Sequence, residues 1–166
     1  MIISNRYIED EDTYLIHIYA VDSLKGVVII DKEDYEKVYK YTWTIQRNVR
    51  SMAVVPIELK YYDLGKNKIG FVILDIIPNN KVTLSFKNGD YCDNRKKNLI
   101  IEGKGLLEKI DSSYVVFNTK IDYDNGYWNV NVIVNKQSFH GHFLSSEYNI
   151  EEAYRKILFD AFPKLL

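Results

Sequence analysis

The sequence has one cysteine in 166 residues, Cys92, so no internal disulfide can form, and no second thiol stands near it to build a zinc or redox pair. Such a chain is expected in a reducing cytoplasm. Proline is scarce as well, at three, and no Pro-, Gly- or Ser-rich tract marks a low-complexity linker. No apolar run approaches the roughly 20 residues of a membrane span. Met1-Ile2-Ile3-Ser4, followed by Arg6 and the acids at 9–12, does not read as a signal peptide. An excess of one charge is also missing: 22 Lys plus Arg face 23 Asp plus Glu, a net of −1. A dedicated DNA binder carries a basic surplus, so any nucleic-acid footprint here has to be local. Arginine is limited to Arg6, Arg47, Arg50, Arg95 and Arg155, which restricts bidentate reading of guanine. The three histidines, His17, His140 and His142, are too dispersed for a metal set.

Apolar and aromatic residues are plentiful, at 46% and 14%, with fourteen tyrosines of the kind favoured at interfaces. The length suits one domain or two small ones with a real core. Tyr14–Tyr19 alternates loosely and Val27–Ile30 is continuously apolar, with a turn signal at 22–26 between them, which predicts a hairpin. Asp31-Lys32-Glu33-Asp34 supplies an N-cap and first-turn acids ahead of Tyr35, Val38 and Tyr39 at helical spacing, so a short helix is expected. Trp43 opens the next strand as a core anchor, Met52–Leu59 reads as another, and 61–68 is a polar connector.

The informative stretch is Phe71–Gly103. Two apolar runs, Phe71–Ile77 and Val82–Phe86, flank Pro78-Asn79-Asn80 and lead into Lys87-Asn88-Gly89-Asp90, Asp93-Asn94-Arg95 and Asn98-Leu99. The order predicts a strand at Val72–Ile77, a second at Val82–Phe86, a loop over Lys87–Tyr91 and a helical turn capped by Asp93. Arg95, Lys96 and Lys97 form the best local basic cluster. A polar connector follows, with a boundary expected between a domain at 1–107 and one at 112–166. In the latter, Val115–Ile121, Tyr127–Val134 and Gln137–Phe143 read as strands joined by turns at Asp124-Asn125-Gly126 and Asn135-Lys136. Trp128, Val130, Val132 and Val134 share one face, and a helix from Ser145 or Ser146 turns Ile150, Ala153, Tyr154 and Ile157 inward. The fold class expected is α+β: a ββα region with flanking strands and a short helix, then a three-stranded antiparallel sheet packed on one C-terminal helix.

The segment 87–99 resembles the core of HNH nucleases of the homing-endonuclease type, and Ile30–Trp43 resembles the region that precedes that core. In the family an Asp-His pair ends a strand, an Asn-Gly-Asp loop follows, and Asp-Asn-Arg-x-x-Asn-Leu closes the motif. The resemblance implies a scaffold that holds one divalent cation against a phosphodiester while His activates water. This chain departs from it at the pair itself, where Ser85 and Phe86 stand, and at a further family His, which aligns with Val72. Phenylalanine neither accepts a proton nor binds metal, and a hydroxyl lacks the charge a hard cation needs. Losing the general base alone removes roughly two to four orders of magnitude in rate. Val72, Ser85, Phe86, Asn94 and Asn98 are therefore degenerate active-site positions, with no catalytic residue, metal or cofactor expected.

The C-terminal pattern resembles the APETALA-type DNA-binding domain, through Gly126, Trp128, His140-Gly141-His142-Phe143 and Glu152-Ala153-Tyr154. That family reads the major groove with cations and Trp from the open sheet face. Here the alternate face of the middle strand carries Tyr127, Asn129, Asn131 and Ile133, with Lys120 as the nearest cation. The contact residues expected are Lys87, Arg95, Lys96, Lys97, Lys120, Asn129 and Asn131. The reading is a non-catalytic binding protein of a phage or mobile element. Its partner is DNA or a nucleic-acid-processing protein such as a bacterial defence nuclease, which an anti-CRISPR-type inhibitor would grip directly; a nuclease with a rebuilt site is the third reading.

Overall fold

The computed structural model of the protein describes residues 2–47, 52–57, 68–76, 82–103, 117–134 and 136–161. The expected connectors at 61–68 and 103–113 lie outside these residues except for Lys68 and Gly103. Strands dominate, arranged in three sheets, with three α-helices among the described residues, so the fold is mixed and mainly β. The chain divides into two compact units, Met1–Ile77 with Phe86–Asn98, and Pro78–Ser85 with Leu99–Leu166.

In the first unit, β1 (Ile3–Asp10), β2 (Thr13–Ala20) and β3 (Ser23–Asp31) form an antiparallel meander. The expected hairpin is β2–β3, and β1 is an additional strand whose mixed polar sequence gave no clear alternation. Ile16, Ile18, Val28 and Ile30 are fully buried on its inner face. A 3-10 turn at Lys32–Asp34 runs into α1 (Tyr35–Val38). Asp31 does not cap it with its side chain. A two-stranded sheet, β4 (Trp43–Arg47) with β5 (Met52–Pro56), follows. Trp43 is fully buried as expected, its Nε1 donating to Val38 O at 2.9 Å. Asn5 serves Trp43 like a neighbouring strand, accepting from its N–H at 2.6 Å and donating to its carbonyl at 2.8 Å.

Of the strand expected at Val72–Ile77, Val72 and Ile73 instead close helix α2 (Ile69–Ile73), residues 74–76 follow its end, and Ile77 lies outside the described residues. A short, continuously apolar run cannot distinguish a buried helix from a buried strand. What makes it a helix is its stop: Asp75 adopts φ 54°, Ile76 N–H reaches Phe71 O at 3.0 Å, and Asp75 N–H reaches Val72 O at 3.2 Å. That is a Schellman cap with Asp in the place usually held by Gly. Lys37 completes it, donating to Ile73 O at 3.1 Å and pairing with Asp75 at 2.7 Å. No ββα unit therefore forms at 71–98 among the described residues.

The second unit is built on a five-stranded sheet in the order β10-β9-β8-β7-β6, with β6 (Val82–Phe86), β7 (Leu99–Gly103), β8 (Phe117–Asp124), β9 (Tyr127–Val134) and β10 (Gln137–Leu144). It is two strands wider than the three expected, because β6 and β7 join it. On β9 the alternation is as expected, with Trp128, Val130, Val132 and Val134 buried. Asn125 and Gly126 turn the β8–β9 hairpin at φ 49° and 83°, a pair of positive values that Asn-Gly accepts readily. Helix α3 (Ile150–Ala161) buries Ile150, Ala153, Tyr154, Ile157 and Leu158. It starts later than Ser145 or Ser146, because Asn149 and Glu152 form a reciprocal capping box at 2.8 and 2.9 Å. At Gly141 helix and sheet approach closely: a Cβ there would lie 2.7 Å from Ile157 Cδ1 and collide with Phe143.

Candidate functional site

The loop after β6 folds on its own side chains. Asn88 accepts at Oδ1 from Asp90 N–H and from Asn98 Nδ2, both at 2.9 Å, and donates through Nδ2 to Asp93 Oδ2 at 2.9 Å. Asn98 answers by accepting Asn88 N–H at 3.0 Å and donating to Asp93 O at 2.8 Å. Asp93 also takes the Arg95 guanidinium bidentately, at 2.8 and 2.7 Å. The loop then docks on β3, with Ile29 N–H donating to Cys92 O and Asn94 N–H to Ile29 O, each at 2.8 Å. Asp93, Asn94 and Asn98 are buried by this packing. The segment after Asp93 is no α-helix but a single 3-10 turn at Lys96–Asn98, because Asp93 is tied to Arg95 and Asn88.

Three carboxylates converge on the same loop. Asp31, Glu33 and Asp34 bring oxygens within 4.8 Å of one another, the spacing a cation requires. The group they surround is Lys96: its backbone N–H donates to Asp31 Oδ2 at 2.8 Å, and its Nζ pairs with Asp34 at 3.2 Å and with Glu33. Asp31 thus serves Lys96 instead of capping the helix it precedes. Burial raises the Asp34 carboxyl to about 6, against the opposing pull of Lys96. Burial alone would lower Lys96, but Glu33 and Asp34 outweigh it and hold the ammonium above its ordinary range. Asp93 goes the other way: burial would raise it, and the bonds and charge of Arg95 and the bond from Asn88 bring it below the usual carboxylate range.

The degenerate nuclease positions are thus scattered in role. Val72 sits half-buried on α2; Ser85 is exposed and Phe86 half-buried on β6; Asn94 and Asn98 are buried in the loop. Asn98 has its amide fully engaged in shaping that loop. Of the basic cluster, Arg95 is held by Asp93 and the Lys96 side chain is only 14% exposed, while Lys97 and Lys87 are exposed in the turns. Sequence reasoning placed Asp31, Glu33 and Asp34 at a helix start and missed that they wait for Lys96; like-signed acids clustered beside one short helix were the available signal.

The open face of the second unit's sheet carries the remaining candidates. Register pairs Asp124 with Tyr127, Asp122 with Asn129, Lys120 with Asn131 and Glu102 with Lys120. Across β9 and β10, Asn129 faces His142 and Asn131 faces His140. His142 stacks on Tyr127 with ring centroids 4.2 Å apart and planes 14° from parallel, and its Nδ1 donates to Asn129 Oδ1. Ser138 donates to Asn131 Oδ1 at 2.8 Å. Lys120 lies 3.6 Å from Glu102. Thr83, Asn118, Asn131 and Ile133 line a shallow groove around that ion pair. Of the residues expected to read DNA, Lys120, Asn129 and Asn131 thus share one surface, and Glu102, Asp122 and Asp124 lie on it with them.

Comparison with protein-family models, curated proteins and solved structures finds no match for this chain. Among the described residues, no helix is long and apolar enough to cross a membrane.

Proposed function

We propose that the chain is a non-catalytic binding protein whose partner is another protein, docked on the open face of the β6–β10 sheet. The fate of the cations carries this reading. Arg95 is bound by Asp93, Lys96 by Glu33 and Asp34, and Lys120 lies beside Glu102. Binding to a phosphate backbone draws its affinity from cations that displace condensed counterions, and cations already neutralised contribute little. Asp124, exposed on the same face, adds negative charge that a polyanion avoids and a basic protein surface accepts.

The absence of catalysis rests on Ser85 and Phe86, which supply neither a metal ligand of adequate charge nor a proton acceptor. Under this reading the nuclease-like motif at 87–99 is a resemblance of sequence alone, carried on a loop that ends in a single 3-10 turn and put to holding instead of cutting. A mobile-element inhibitor that grips a bacterial defence nuclease is the form that suits it. The test is recovery of partners on the tagged full chain from a bacterial lysate, washed at high salt and treated with nuclease, alongside a gel shift at low salt. A protein that persists through both treatments supports the reading. Retention of DNA that collapses steeply with salt, with no protein retained, overturns it in favour of DNA binding through Lys87, Lys97, Asn129 and Asn131. Metal-dependent cutting by the wild-type chain would overturn it in favour of a rebuilt site.

A further inference from the structure

We infer that β10 is the strand through which two copies of this chain pair, edge to edge and antiparallel, about a two-fold axis at Gly141; the inference does not depend on the partner proposed above. β10 ends its sheet, with β9 as its one neighbour among the described residues. Ser145 N–H donates to Gly126 O at 2.8 Å, directly across the same ladder, and this fixes the parity of the strand. Phe139, Gly141 and Phe143 therefore turn their backbone groups toward β9, while Ser138, His140, His142 and Leu144 turn theirs outward. The Leu144 carbonyl is taken by the N–H groups of Glu147 and Tyr148, each at 3.0 Å. The other outward N–H and carbonyl groups have no partner among the described residues. Exposed edges are ordinarily guarded by lysine, proline or a bulge. From Gln137 to Leu144 this strand has no charged residue and no proline, and its register with β9 is unbroken.

Another strand is what covers such an edge, because it supplies donors and acceptors at the matching spacing. The residues of β10 point to its own copy, since Phe139-His140-Gly141-His142-Phe143 reads the same in both directions. A two-fold axis at Gly141 sets Phe139 against the partner's Phe143, and His140 against the partner's His142. In that register the outward groups of the two histidines meet as a hydrogen-bonded pair, and Gly141 meets its own copy at the closer spacing. The helix side of the strand agrees. Trp128, Val130 and Val132 on β9 are buried, whereas Phe139 and Phe143 at the edge are only half-buried. Pairing lays each phenylalanine beside one from the partner and covers both. A patch that complements itself is what a two-fold interface requires, and an arbitrary extended peptide would match the backbone alone.

The test is sedimentation velocity of the full chain from about 1 µM to about 1 mM, with amide hydrogen exchange followed by NMR at both ends of the series. A shift from monomer to dimer is expected, with slowed exchange of the His140 and His142 amides at the high end. His140→Pro removes an outward donor that β9 does not use, and is expected to weaken the dimer by more than about tenfold. His140→Lys keeps the backbone donor and places a charge on the exposed edge, which is expected to weaken the dimer by about tenfold. The lysine variant decides the matter if the proline variant fails to fold. A chain that stays monomeric throughout, or that forms larger open-ended species, overturns the inference. So does a dimer that tolerates His140→Lys, or one in which the two amides still exchange fast.

Discussion

Lys96 illustrates how a residue's environment, more than its type, decides its role. In the sequence it is the middle of a basic run, and in the fold it is the counter-charge for a buried carboxylate. Replacing it by methionine leaves Asp34 buried without a cation, and loss of one member of such a pair costs about 3–5 kcal/mol. Lys96→Met is therefore expected to lower the chemical-denaturation midpoint sharply; a shift no larger than that of Lys97→Met would show that the pair is immaterial. Asp34 also sets a pH dependence. Its folded carboxyl titrates near 6, above its ordinary 3.8, so the native state holds a proton that the unfolded chain has released. Its contribution is fully present below the ordinary value and is lost as pH rises through about 6. Asp34→Asn is expected to flatten the fall in thermal midpoint between those values, and an unchanged slope would show that another group is responsible. Asp93 contributes with the opposite sign, its stabilisation fading as acid protonates it. Asn98, read from the sequence as a degenerate active-site position, has its amide engaged with Asn88 and the Asp93 carbonyl, a role that the motif alone did not display.

At the level of elements, the legible parts were those where a single pattern decides the outcome. β9 announces itself by strict alternation, and the β8–β9 hairpin by Asn125-Gly126, since few other dipeptides accept two positive φ values. α2 was illegible because its apolar run fits either state, and its stop is made by Asp75 with help from Lys37, a residue far away in sequence. β7 was hidden for a related reason: its partner β8 lies beyond a connector, and register across such a gap leaves no local trace. Gly141 read only as part of a motif, yet its role is steric. Gly141→Ala is expected to push α3 off the sheet and cost about 1–3 kcal/mol, measurable in urea; a neutral result would mean that Phe143 and Ile157 yield. Val21 raises the converse case. A β-branched residue at φ 56° on an exposed turn is strained. Val21→Asn is expected to raise the thermal midpoint slightly, with about 1 kcal/mol as the scale of the relief, and a lowered midpoint would show that the valine makes a contact that matters.

On the scale of the whole molecule, the chain does not finish one unit before starting the next. It enters the second unit at Pro78–Ser85, returns to the first for Phe86–Asn98, and leaves again at Leu99. Cutting at the connector near residue 110 would therefore strand β6 and β7 on the wrong fragment and expose the edge of β8. A fragment spanning 112–166 is expected to lack cooperative unfolding and to aggregate, as judged by circular dichroism and light scattering, whereas the intact chain does not. A folded, monomeric fragment would show that three strands and α3 suffice. The pairing of Asp31 with the Lys96 amide, 65 residues apart, also has a consequence for biosynthesis. As the polypeptide leaves the ribosome, the acidic trio emerges long before the lysine that neutralises it, so the first half must wait, incompletely assembled, until the loop that closes it has been translated.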